Sequence, residues 1–385
     1  MKKSTMKPLS LMLVAMMALL LVLSGCGSKN NNGEGGASAS ASASPSASET
    51  ASPSPSASES ASPSASASAS ASESAAAPAD GKGKKIGMVT DLGGVNDKSF
   101  NQQAWEALEK IGKDTGAEPK YLESKKDSDY IPFLTKFVKD GYDLTWGIGF
   151  LFAEAATTVA KANPESKLAL IDTTPTEALP NVESVLFKEN EGSYLVGVVA
   201  GLTTKTNKIG FVGGMELPVI KKFEAGFKAG VAAVNPNAKV DVNYVGDFSK
   251  PDQGKLAAAT MYDGGADIIF HAAGGSGNGV FNEAKDRFKA GKKVWVIGVD
   301  KDQSIEFGND VTLTSMVKKV DEAVYRVSND LLAGNFHGGQ TVELGLSEGG
   351  VGLPVENPNV SKEILDKVEE YKNKIISGEI KVPTE

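Results

Sequence analysis

Lys85-Ile86-Gly87-Met88-Val89 runs into Thr90-Asp91-Leu92-Gly93-Gly94-Val95-Asn96-Asp97-Lys98-Ser99-Phe100-Asn101-Gln102. The first five residues form an apolar run of strand length. Gly93-Gly94 permits a turn with positive φ, and Asp97 or Ser99 can cap the helical pattern over Ser99–Gly112. The same opening returns about 120 residues later as Lys208-Ile209-Gly210-Phe211-Val212, again followed by a glycine-rich tip and a long helix. Further strand-like runs are Leu144–Ile148, Lys167–Ile171, Ser184–Phe187, Val240–Val245, Asp267–Phe270 and Lys293–Val299, with amphipathic stretches at Phe133–Lys139, Ala153–Ala162 and Phe223–Val234. Continuously apolar strands alternating with helices imply parallel sheets covered on both faces. The echo implies two similar, Rossmann-like α/β lobes with a cleft between them. Ligands in such sheets sit beyond the carboxyl ends of the strands, so the residues immediately after strands are the candidate site.

The 385-residue chain carries 40 Lys and Arg against 48 Asp and Glu, a net charge of -8. This balance argues against a nucleic-acid binder. One cysteine excludes a disulfide framework, and two histidines, His271 and His337, make a histidine-built metal site improbable. Lys2, Lys3 and Lys7 precede an uncharged apolar run from Leu9 to Leu23 that ends in Leu23-Ser24-Gly25-Cys26. The run is short for a membrane span and reads as a signal-peptide core. The ending resembles a bacterial lipoprotein signal, which implies cleavage after residue 25 and acylation of Cys26. Residues 26–83, rich in Ser, Ala, Gly and Pro, have almost nothing to bury and read as a disordered tether reaching roughly 40 Å. About 300 residues remain from Lys84, enough for two lobes. They are expected as 84–205 with about 305–335, and 206–304 with about 336–385.

The segment Asp91-Leu92-Gly93-Gly94-Val95-Asn96-Asp97-Lys98-Ser99-Phe100-Asn101-Gln102, with Trp105 behind it, closely resembles the basic membrane protein family of lipoproteins. The resemblance continues through Gly147–Phe150, Ile171-Asp172, Val212–Glu216, Ala273–Gly277 and Gly298-Val299-Asp300, and so spans the folded part. Members of that family are substrate-binding components of ABC transporters, of the purine nucleoside receptor type. The resemblance implies a type I periplasmic-binding-protein-like fold on the outer face of the cell membrane, held by the lipid on Cys26. It also implies a monomer that binds a nucleoside and passes it to a permease with its ATPase. No cofactor, metal, nucleic acid or catalysis is implied.

In this family the base lies between two aromatics, one from each lobe. Phe100 matches the first, although on the residues alone it serves as well as a staple packed in the core. Phe270 is the candidate for the second, with Phe248 as a weaker rival and a strand-end core role as the alternative for Phe270. Asn101 and Asp172 suit the base edge, Asp172 being otherwise a turn or cap residue. Asp91 and Asp300, each just past a strand, suit the ribose hydroxyls. Gly274 and Gly275 let backbone N–H groups approach the sugar. Lys318 either neutralises carboxylates or bonds ribose, or is simply solvated. Met215 and Glu216 are weaker candidates for the rim.

Ala273-Gly274-Gly275-Ser276-Gly277-Asn278-Gly279 matches neither Gly-x-Gly-x-x-Gly nor a phosphate loop. No His-Glu-x-x-His pair occurs in the sequence. Two other readings stay open at this stage: the same fold with another small polar ligand, and a surface nucleoside-processing enzyme using the clustered acids.

Overall fold

A computed structural model describes residues 77–385. The leader over 1–25, Cys26 and nearly all of the tether lie outside the described residues. The first lobe is built from β1 (Lys85–Val89), α1 (Phe100–Thr115), β2 (Glu118–Leu122), α2 (Tyr130–Lys139), β3 (Leu144–Ile148), α3 (Ala153–Ala162), β4 (Leu168–Ile171) and β5 (Val182–Phe187). The second follows with α4 (Glu189–Thr203), β6 (Lys208–Gly213), α5 (Pro218–Val234), β7 (Lys239–Tyr244), α6 (Pro251–Asp263) and β8 (Ile268–Ala272). It continues through α7 (Gly277–Lys289), β9 (Trp295–Asp300), the short α8 (Ser304–Phe307) and β10 (Thr312–Lys318). The chain then returns through α9 (Val320–Leu332) and β11 (Thr341–Leu344) to β12 (Val351–Gly352) and α10 (Lys362–Ile376).

The sheets run β11-β5-β4-β3-β1-β2 and β12-β10-β9-β8-β6-β7. Each position in one order has its counterpart in the other, so β1 corresponds to β6, β4 to β9 and β5 to β10. All pairings are parallel except β10 with β12. The two lobes with parallel sheets expected from the sequence are therefore present. Strands β3 and β4 are buried at every residue, as expected of strands covered on both faces. Edge strand β2, Glu-Pro-Lys-Tyr-Leu, is mostly exposed. It lacks an apolar run and carries a proline, which edge positions tolerate; the sequence signal there is correspondingly faint.

The lobe boundaries differ from those expected. Helix α4, expected in the first lobe, packs against α5 of the second. Strand β10, also expected in the first, pairs with β9 of the second sheet, whereas β11 pairs with β5 of the first. Crossovers occur at Lys188, at Lys319 and over residues 345–350. The first two are single residues and carry no linker signal; only the third, Gly345-Leu346-Ser347-Glu348-Gly349-Gly350, is glycine-rich. Thr312–Lys318 also alternates Thr and Ser with apolar residues, which hides a buried strand from a search for apolar runs.

Candidate functional site

Helix α1 begins where the Asp97 carboxylate accepts hydrogen bonds from the Asn101 and Gln102 backbone N–H groups, at 2.9 and 3.1 Å. The Asn101 side chain then ties the tip to β1. Its Oδ1 accepts from the Asp91 N–H at 3.2 Å, and its Nδ2 donates to Asp91 Oδ1 at 2.7 Å and to Asp97 Oδ2 at 3.0 Å. Both amide hydrogens of Asn101 are thereby used within the protein. It therefore holds two acids in place, and what it still offers a base edge is the second lone pair of its Oδ1 acceptor; it lines the cavity between the sheets.

The carboxyl ends of the two sheets face one cavity. It encloses about 610 Å³ between its lining atoms, open solvent at the mouth included. The first lobe contributes Asp91, Phe100, Phe150 and Asp172. The second contributes Phe223, Phe248, Gly274, Asp300 and Lys318. Asp172 and Asp300 end equivalent strands and share a left-handed backbone with φ of 67°, a conformation that Asp tolerates better than most residues. Internal duplication thus aims one acid from each lobe into the same space.

The acids are buried, and burial disfavours their charge. It raises the pKa of Asp91 to about 7, opposed by hydrogen bonds from Asn101 and Gly93. Burial likewise raises Asp300 to about 7, opposed by Lys318 and Ser99. Asp172 is raised to about 6, again by burial, with Lys318 opposing. Burial also works against the charge of Lys318, but Asp172, Glu189 and Asp300 outweigh it and hold its pKa above the usual lysine value. The Lys318 ammonium donates to Asp172 Oδ2 at 2.6 Å and to Glu189 Oε1 at 3.0 Å. It also lies 5.1 Å from the ring centre of Phe100 and 5.6 Å from that of Phe223. Lys318 is thus a buried counter-ion, not a solvated lysine. Asp172 Oδ1 is buried and has no hydrogen-bond partner within the protein, which leaves one strong acceptor unmet at a residue that lines the cavity.

Phe270 does not line the cavity. The strand that was expected to end at Phe270 continues through His271 to Ala272. Phe270 is therefore mid-strand, wholly buried, with Phe211, Phe223 and Phe227 around it. Phe248, in the loop after β7, lines the cavity in its stead, close to Gly214 and Gly274. Gly275 lies just outside the lining, beside the Gly93 carbonyl of the facing lobe. Met215 and Glu216 stand off the cavity, and Glu216 pairs with Lys221 at 2.8 Å. Phe150 and Phe223 were missed as lining residues. Phe150 follows β3 at a strand end, and that position was the available signal.

The lobes meet around the cavity. The Ser99 hydroxyl donates to Asp300 Oδ2, and Lys301 pairs with Glu106 at 3.0 Å. Among the described residues no group of three or more His, Cys, Asp or Glu is arranged to hold a metal. No described helix is long and apolar enough to cross a membrane. What the lining can do chemically is accept hydrogen bonds, stack flat rings and balance charge around one lysine.

The family described as ABC transporter substrate-binding protein PnrA-like matches residues 84–385. A Listeria monocytogenes protein named CD4+ T-cell-stimulating antigen is 52% identical over 313 residues, covering 77% of this chain and 87% of the relative. A Lactococcus lactis protein named ABC transporter nucleoside-binding protein BmpA is 42% identical over 315 residues, covering 78% of this chain and 89% of its own length. Among solved structures, an ABC transporter solute-binding protein from Aeropyrum pernix superposes with a TM-score of 0.73 at 30% identity, covering 78% of this chain and 94% of that one.

Proposed function

The chain belongs to the PnrA-like family of ABC transporter substrate-binding proteins, and from that premise we propose that it captures a purine nucleoside between its lobes for uptake. It acts as a monomer on the outer face of the cell membrane, anchored through lipid on Cys26. It delivers the ligand to a permease driven by a separate ATPase and does no chemistry on it.

One observation carries this reading: the acid-lined cavity receives an aromatic ring from each lobe, Phe100 from one and Phe248 from the other. A flat base stacked between them links the lobes, with each stacking contact worth about 1–3 kcal/mol. Asp300 and Asp91 accept from the ribose hydroxyls. The unpartnered Asp172 Oδ1 accepts from an N–H on the base edge, and Gly274 lets the sugar approach the backbone. The relative named as nucleoside-binding points to the same ligand class.

The test is calorimetric titration with inosine, guanosine, adenosine, uridine, free ribose and free hypoxanthine. Purine nucleosides should bind at least about tenfold more tightly than uridine or either fragment. Phe248→Ala should weaken them by about tenfold or more. If no nucleoside binds or raises the melting temperature, while another small metabolite does, the nucleoside reading is wrong and the transport reading stands. Anchoring is checked separately: Cys26→Ser should move the protein from the membrane fraction to the medium.

A further inference from the structure

The second lobe grips the first at a point outside the cavity. Lys98, in the loop before α1, has a left-handed backbone with φ of 59°. Its carbonyl accepts from Gln303 Nε2 at 2.9 Å, and its ammonium lies 5.1 Å from the ring centre of Phe307. Gln303 and Phe307 belong to the second lobe, and neither lines the cavity.

Gln303 is wholly buried and fixed from several sides. Its Oε1 accepts from the Val299 N–H at 3.0 Å and faces His271 Nε2 at 2.9 Å. Its own N–H donates to Ser315 Oγ at 3.1 Å. Because Oε1 accepts a main-chain hydrogen, the amide orientation is set and Nε2 must point at Lys98. His271 then carries its proton on Nε2. Gly298 makes the room, since a Cβ there would sit 2.8 Å from Gln303 Oε1. All these fixing bonds come from the second lobe, so the amide is aimed before closure. It loses little side-chain freedom when the Lys98 carbonyl arrives.

We propose that Gln303 is a positioning residue for closure, a preset amide that captures the Lys98 carbonyl, holds the lobes together and sets the lifetime of the bound complex. It touches no ligand, so it lengthens every complex by the same factor and leaves selectivity alone. The ligand used to read this rests on the nucleoside reading; the latch itself does not.

Gln303→Glu keeps an oxygen for Val299 and His271 but, at pH 9 where its carboxyl is ionised, presents an acceptor to the Lys98 carbonyl. In the full-length protein, stopped-flow chase should show dissociation of inosine and of guanosine faster by about tenfold or more, and by the same factor for both. Association should change less than about threefold. Lys98→Met, at a partly exposed position, removes only the ring contact and should speed dissociation about two- to threefold. A folded Gln303→Glu protein with unchanged dissociation overturns the proposal, as does a different factor for the two nucleosides. If Gln303→Glu does not fold, Gln303→Met, which removes the donor to the Lys98 carbonyl while keeping the side chain's length, takes its place, and unchanged dissociation in that variant overturns the proposal.

If the wild-type protein binds no nucleoside, the functional reading fails, and the latch is read without ligand. Dyes at Lys120→Cys and Asp241→Cys in a Cys26→Ser background sit on β2 and β7, the sheet edges farthest from the crossovers. Gln303→Glu should lengthen the distance between them. An unaltered distance distribution sinks the latch.

Discussion

Asp300 both receives the Ser99 hydroxyl from the opposite lobe and lines the cavity. Substitution can separate these roles. Asn tolerates the left-handed backbone of that position almost as Asp does and still accepts from Ser99, but it brings no charge to a sugar hydroxyl. Asp300→Asn should therefore weaken inosine about tenfold to a hundredfold, as expected for losing a charge-assisted hydrogen bond. It should also raise the ligand-free melting temperature at pH 8, because the wild-type carboxylate is buried against its preference. Calorimetry with and without ligand checks both signs; a fall in both would make Asp300 a structural residue. The positions of Asp91, Asp172 and Asp300 were legible in the sequence because each lies at the carboxyl end of a strand, the last residue of it or within two residues beyond. Phe270 was misread because the strand runs two residues beyond it, through a histidine and an alanine that break no pattern. Phe248 follows Val240–Val245 by three residues, so the strand-end rule pointed to it as well. The bond that commits Asn101 to Asp91 was not legible, since side-chain partners ten residues apart leave no periodic trace.

Helices α4 and α5 meet through glycines. A Cβ on Gly226 would lie 2.1 Å from the Asn190 carbonyl oxygen, and one on Gly230 would lie 2.0 Å from that of Tyr194. These are backbone contacts that no rotamer change relieves. Helix propensity alone would make Gly230→Ala stabilising by about 1 kcal/mol. The packing term opposes it and is larger, so the variant should lose about 2 kcal/mol or more. Thermal unfolding should show the drop, and a melting temperature at or above wild type would mean the helices can move apart freely. The seam places α4 in the second lobe although the sequence leads directly into it from β5 of the first. An apolar helix of this kind declares that it is buried but not on which side of a one-residue crossover. The alternation of strand and helix, by contrast, was readable along the chain because parallel strands covered on both faces leave long apolar runs.

At the scale of the whole molecule, the cavity gathers four acids, Asp91, Asp97, Asp172 and Asp300, whose protonated forms the folded state favours, against one buried histidine that it keeps neutral. Asp91 and Asp300 are raised to about 7 and Asp172 to about 6, all chiefly by burial, from a reference of 3.8. Between pH 4 and 7 the folded protein therefore holds more protons on these groups than the unfolded chain does. Their contribution to stability is full below pH 4 and is lost as pH rises through 6 to 7. His271, lowered to about 4 by burial from 6.5, acts in the opposite sense: its contribution is full above 6.5 and is lost as pH falls toward 4. The acids outnumber the one histidine, and above 6.5 only the acids still change. Each raised acid corresponds to a few kcal/mol at most, so the ligand-free melting temperature should fall from pH 5.5 to pH 8. Ribose hydroxyls donate to carboxylates, so binding favours the ionised acids. The stabilisation conferred by saturating inosine should grow over the same interval, and binding at pH 7 should release protons to the buffer. Titrations in buffers of differing ionisation enthalpy measure that release directly. Proton uptake in its place would mean that the acids meet the ligand as donors, and the assignment of Asp91 and Asp300 to hydroxyl groups would have to be reversed.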